Sequence, residues 1–175
     1  TGFVCFIMLS LQPAFATIIT SETTNISGDT WESVYTITND TADEIFWFAI
    51  FFDAIEYANI VYVPSIEFAD WDVIGVDPFI TDAGFVDALA NAAGISVGGF
   101  ISNFIVRYDY SRSSAPSVQE FVVYDLNSAD PFDDFELGEV QISIVSTPNV
   151  VSTPSTLLLF GLSALAFCGF RKARV

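Results

Sequence analysis

A chain of 175 residues that is 52% apolar, with 18 phenylalanines, can fill the core of one domain and still spare two apolar ends. All 22 acids fall between Glu22 and Glu139, and only Arg107 and Arg112 oppose them there, a net of −20 for that stretch within a chain of net −17. So acidic a surface excludes nucleic acid, which is bound by neutralising phosphates with Lys and Arg, and it repels anionic headgroups. With no His, and with Cys5 and Cys168 both in the apolar ends, the middle of the chain holds no disulfide and no thiolate or imidazole metal site.

The first predicted element is a signal helix over residues 1–16, truncated at its start, since the usual basic beginning and initiator Met are missing. An apolar run over residues 3–11 leads to Pro13 and then to "AFA". The small residues Ala14 and Ala16 fit the pattern that signal peptidase reads. The alternative is a hydrophobic first strand. Cleavage after Ala16 makes Thr17 the first residue of the mature chain.

Residues 17–146 alternate with period two, the pattern of strands that lay one face on a core. In "WESVYTIT" Trp31, Ser33, Tyr35 and Ile37 share a face. "EIFWFAIFF" is almost wholly apolar and reads as a central strand, or as one whose second face meets another element. "NIVYV" and "QEFVVYDL" are further strands. In "FISNFIVRYDY" the inward set is Phe100, Phe104, Val106, Tyr108 and Tyr110, and in "EVQISIV" it is Val140, Ile142 and Ile144. Gly, Asn, Asp and Pro clusters separate these runs. The Ala-rich stretch "DAGFVDALANAAGIS" predicts a short helix over residues 85–93, closed by Gly94. The expected fold class is all-β, an immunoglobulin-like antiparallel β-sandwich of seven or eight strands with one short helix.

Two acidic clusters are candidate cation sites. Asp130, Asp133, Asp134 and Glu136 crowd the segment "DPFDDFELGE", and hard oxygen ligands in a loop suit Ca²⁺, although the spacing is not that of an EF-hand. The alternative is a solvated acidic loop that blunts a sheet edge. Asp70, Asp72 and Asp77 form a weaker second cluster around Trp71, whose ring is the candidate platform for a sugar. Trp31 and Trp47, in alternating runs, read as core. Carboxylate pairs can also hydrolyse glycosides, but 22 acids guarantee pairs by chance. No nucleophile elbow or phosphate loop occurs, so no cofactor and no catalytic set is expected. Asn25 and Asn39 head Asn-x-Ser/Thr sequons that bear on function only in a eukaryotic secretory context.

After a linker over residues 147–153 the chain ends in "STPSTLLLFGLSALAFCGFRKARV". Residues 157–170 form an apolar run that as a helix reaches only about 21 Å, short of a hydrocarbon core of roughly 30 Å. Arg171, Lys172 and Arg174 follow at once, the flank that stays cytoplasmic and halts export. A terminal basic cluster does not fit a glycosylphosphatidylinositol signal, and the Leu-Pro-x-Thr-Gly of a sortase signal is absent.

This three-part end, a short motif Ser152-Thr153-Pro154-Ser155-Thr156, a transmembrane helix over 156–170 and a basic end over 171–175, resembles the PEP-CTERM sorting signal of Gram-negative bacteria. Thr153 departs from the Glu most common there. The resemblance covers residues 151–175. It implies a chain exported across the inner membrane, held there briefly by the 154–175 tail, and then cut by an exosortase for delivery to the envelope or the extracellular space. It also implies an association with exopolysaccharide and biofilm. The expected partners are signal peptidase, exosortase, the inner membrane and exopolysaccharide. The expected function is that of a non-enzymatic envelope or matrix protein. The alternatives are a carbohydrate-binding or calcium-dependent adhesive module and a carboxylate glycoside hydrolase.

Overall fold

A computed structural model describes residues 16–132 and 135–146. The signal segment up to residue 15, Asp133, Asp134, the linker, the sorting motif, the apolar run and the basic end all lie outside the described residues. Among the described residues no helix is long and apolar enough to cross a membrane.

The expected β-sandwich is present, built from ten strands among the described residues. The first sheet has the order β10-β1-β2-β7-β4 and the second β5-β6-β3-β8-β9. The strands of the first sheet are β1 (Thr17–Ser27), β2 (Thr30–Asn39), β4 (Tyr57–Val63), β7 (Phe100–Tyr110) and β10 (Gln141–Ile144). Those of the second are β3 (Trp47–Phe52), β5 (Trp71–Val76), β6 (Gly84–Ala90), β8 (Glu120–Tyr124) and β9 (Phe135–Glu139). Every pairing is antiparallel except β1 with β10, which is parallel.

Period-two alternation sets the core. Tyr35 and Ile37 of β2, with Phe104, Val106 and Tyr108 of β7, face Phe48, Ile50 and Phe52 of β3, and all are buried. The rings meet edge-on or tilted, as with Phe48 and Phe104 at 5.2 Å between centroids, the geometry that ring quadrupoles favour. "EIFWFAIFF" does hold a central strand, with β6 on one side of β3 and β8 on the other.

Three expectations about local structure are overturned. Residues 85–93 form no helix, because Gly84–Ala90 is strand β6, held between β3 and β5. The alanines act as spacers there. Ala88 stands opposite Phe48 and Ala90 opposite Trp71, where small residues leave room for large rings, and tertiary packing overrides helix propensity. Phe100 is 71% exposed and not part of the core. A bulge at Ser102–Asn103, with Asn103 at φ +62°, inserts an extra residue opposite β2 and reverses the facing of what precedes it, so Ile101 packs inward instead. The run "EVQISIV" is not one strand. It changes sheets at buried Val140, whose N–H donates to the Gln119 carbonyl at 2.8 Å. β9 therefore ends one sheet and β10 begins the other, which leaves Ile144 exposed at the edge.

Candidate docking face

The outer face of the second sheet is apolar to an unusual degree, and strand register gives its layout. Across one row, Asp72 of β5 neighbours Leu89 of β6, which neighbours Trp47 of β3. Trp47 stacks on Tyr124 of β8 at 4.1 Å between ring centroids, and Tyr124 neighbours Phe135 of β9. In the next row Ile74, Asp87, Ala49, Val122 and Leu137 follow one another. In the third, Val76, Phe85 and Phe51 lead to Glu120 and Glu139. Phe132, from the β8–β9 connection, lies edge-on to Trp47 at 5.5 Å.

The face therefore has an apolar field, acids at its margins and one carboxylate, Asp87, inside it. Asp87 Oδ1 accepts the Trp47 indole N–H at 2.5 Å. Burial raises its pKa above the ordinary carboxylate range. The Trp47 hydrogen bond opposes that rise, and the charge of Asp72 adds to it. Beside it, Phe51, Val122, Tyr124, Phe132, Phe135 and Leu137 line an open groove of about 330 Å³. Leu137 and Phe132 are 65% and 66% exposed. Exposed apolar surface that is contiguous, and not scattered singly, marks an interaction site.

The residues singled out from sequence fall elsewhere. Trp71 is no platform. It is 8% exposed, begins β5 facing inward, and packs on Phe48 and Phe68 at 5.7 and 5.4 Å. The tryptophan on the outer face is Trp47. Alternation within the 44–52 run carried that signal, since it sets Trp47, Ala49 and Phe51 opposite Phe48, Ile50 and Phe52. Asp130 Oδ1 accepts the Phe132 N–H, and Glu136 is engaged by Thr17 through two hydrogen bonds. Asp77 accepts the Ile60 N–H at 2.6 Å. Among the described residues no group of three or more Asp, Glu or Cys side chains is arranged to hold a metal ion. Ala14, the sorting motif Ser152–Thr156 and the basic residues Arg171, Lys172 and Arg174 are outside the described residues.

The two bases of the domain are both paired, Arg107 with Glu32 at 2.6 Å and Arg112 with Glu56. Inside the sandwich the tyrosines remain neutral. Burial pushes Tyr108 up to about 12 and raises Tyr35 well above its ordinary value.

No family model and no curated protein matches the chain. Among solved structures it is similar to a cohesin module from the family 33 glycoside hydrolase of Clostridium perfringens ATCC13124, at 13% identity and TM-score 0.44, over 75% of this chain and 99% of that one. It is also similar to a non-cellulosomal cohesin from the hyperthermophilic archaeon Archaeoglobus fulgidus, at 16% identity and TM-score 0.40, over 82% of this chain and 96% of that one. A type II cohesin domain from the cellulosome of Acetivibrio cellulolyticus has 13% identity and TM-score 0.39, over 76% of this chain and 92% of that one.

Proposed function

We propose that this chain is an exported, non-catalytic adhesive module that offers the outer face of its second sheet to a partner protein. The observation that carries this reading is the apolar field around Asp87, bounded by Asp72, Glu120 and Glu139. Its complement is an apolar protein surface with a Lys or Arg at its centre. Such a group would pair with a carboxylate that burial disfavours when charged, and apolar contacts around it would exclude water. A domain of net −20 favours basic partners at long range as well.

The ends of the chain supply the route. The leader would direct export, and the PEP-CTERM-like tail would hold the domain at the inner membrane until exosortase cuts it, which places the module in the envelope or matrix with exopolysaccharide. The buried setting of Trp71 takes support from direct sugar binding through that ring.

Expression of the whole chain in a Gram-negative host, with and without an exosortase, tests the route. Loss of the tail by mass, with release from the inner membrane, is expected only with the enzyme. Equal release in both hosts counts against it. For the face, Phe132→Ser, Phe135→Ser and Leu137→Ser combined should reduce retention of the processed chain on washed producing cells while the circular dichroism spectrum stays unchanged. Unchanged retention would sink the adhesive role of this face.

A further inference from the structure

Thr17, the first residue of β1, is 5% exposed, and its backbone nitrogen lies 2.8 Å from Glu136 Oε1. Its hydroxyl donates to the other oxygen of the same carboxylate at 2.9 Å. Glu136 belongs to β9, in the opposite sheet and 119 residues away. One carboxylate thus holds the start of the first sheet against the edge of the second through both of its oxygens. In the uncut chain the nitrogen donor is a peptide N–H.

We propose that removal of the leader after Ala16 converts this contact into an ion pair, so that processing itself tightens the fold. The inference rests on the export reading. Hydrolysis of the Ala16–Thr17 bond consumes one water. Its hydroxyl goes to the Ala16 carbonyl carbon, giving a carboxyl that ionises, and its hydrogen goes to the Thr17 nitrogen, which takes one more proton from solvent. The resulting ammonium is already within hydrogen-bond distance of Glu136.

The surroundings favour a cation at that place. Glu136 lines an open cavity of about 230 Å³ together with Asp43 and Glu44 from the β2–β3 connection and Tyr124 and Asp125 at the end of β8. Among the described residues these are the titratable groups that line it, and none is basic. Arg107 and Arg112 are paired elsewhere. The peptide N–H contact is already assisted by the carboxylate charge, and cleavage adds a full positive charge on the donor, which turns it into an ion pair. The gain appears only once the leader is gone, so the precursor is the less stable form during export, when an unfolded chain is needed.

An α-amino group ordinarily titrates near about 7.7–8.0. A carboxylate partner raises that value in the folded state. The added stability is therefore complete below about pH 8 and is lost as the pH rises through the raised value. Tyr124 titrates above this interval, because burial raises it from the ordinary tyrosine value.

The test uses the mature chain, residues 17–175, in detergent, with Thr17 free, with Thr17 acetylated, and with Ala14-Phe15-Ala16 restored ahead of it. At pH 7 the free form should melt about 2–5 °C above the other two, the scale of one partly buried charged hydrogen bond in a domain of this size. The advantage should vanish by about pH 10, two units above the ordinary amine value, and also in Glu136→Gln. Equal melts of the free and acetylated forms at pH 7, or a difference that survives Glu136→Gln, overturn the ion pair. In a separate arm the chain is exported with its leader and its amino terminus is read by mass. A first residue of Thr17 supports the coupling to processing. Any other first residue overturns that coupling and the cleavage reading, while the melts judge the pair by itself.

Discussion

Across the middle of the sandwich the Tyr35 hydroxyl donates to Gln119 Oε1 at 2.8 Å, joining β2 of one sheet to the chain just before β8 of the other. Both residues are buried, and the Gln119 amide nitrogen has no partner among the described residues. Gln119→Leu should therefore destabilise by about 1–3 kcal/mol, because it strands the tyrosine hydroxyl without removing it. Tyr35→Phe in the same background should recover much of the loss, since two apolar groups leave nothing unpaired. Urea melts of the two single variants and the double variant measure the coupling. Strict additivity would show that the hydrogen bond contributes nothing of its own.

Gly94 is set by close approach. A Cβ there would meet the Ile45 carbonyl oxygen at 2.3 Å, and that carbonyl is fixed because it accepts the Ile95 N–H. Gly94→Ala should lower stability by about 1–3 kcal/mol, the range of core overpacking. Gly98, with no atom within 4 Å of its added Cβ, is the control for simple loss of glycine, although its φ of +71° adds strain of its own. A Gly94→Ala protein as stable as the wild type would mean that the Ile45–Ile95 bridge yields.

Alternation made the sandwich and most of its core legible, since Ser33, Tyr35 and Ile37 are buried as their spacing predicts. It failed where the phase breaks. Nothing in "SN" announces that Asn103 takes a left-handed conformation and turns Phe100 outward. "DALA" misled because composition records helix propensity but not the rings that Ala88 and Ala90 must clear. The docking face was half legible, because the apolar 44–52 run pointed to a covered second face but not to its neighbours Tyr124, Phe135 and Leu137. The Thr17–Glu136 contact, 119 residues apart, left no local signal.

Ile80 sits at φ +57° in the turn where Phe79 and Asp82 exchange backbone hydrogen bonds. A β-branched residue is poorly suited to that conformation, and this side chain is 79% exposed and gains little from packing. Ile80→Gly removes the clash of Cβ with its own backbone. It should stabilise the domain by roughly 1 kcal/mol, less the greater freedom that glycine gives the unfolded chain. Ile80→Asn should do so with less of that entropic loss. A fall in melting temperature for both would show that Ile80 makes a contact that outweighs its backbone strain.

Asp87 gives the docking face a pH signature. Burial raises its folded-state pKa, with the charge of Asp72 adding to the rise and the Trp47 hydrogen bond opposing it. The folded protein thus holds a proton there that the unfolded chain has already released. Stability is unaffected by this group below the ordinary carboxylate range and falls as the pH rises through the raised value. Above that value the penalty is in full force. Asp87→Asn removes the charge and keeps an oxygen to accept the Trp47 N–H. It should raise the melting temperature at pH 7 by about 1–3 °C, a fraction of a kcal/mol for a domain of this size. The gain should shrink as the pH falls through that raised value, where the wild-type carboxyl takes up its own proton. A cationic partner seated over Asp87 removes the same penalty by pairing, so Asp87→Asn should weaken docking while it strengthens the free fold. Parallel melting curves for the two proteins between pH 4 and 7 would show that water reaches this carboxylate freely, and the centre of the face would lose its preference for a buried cation.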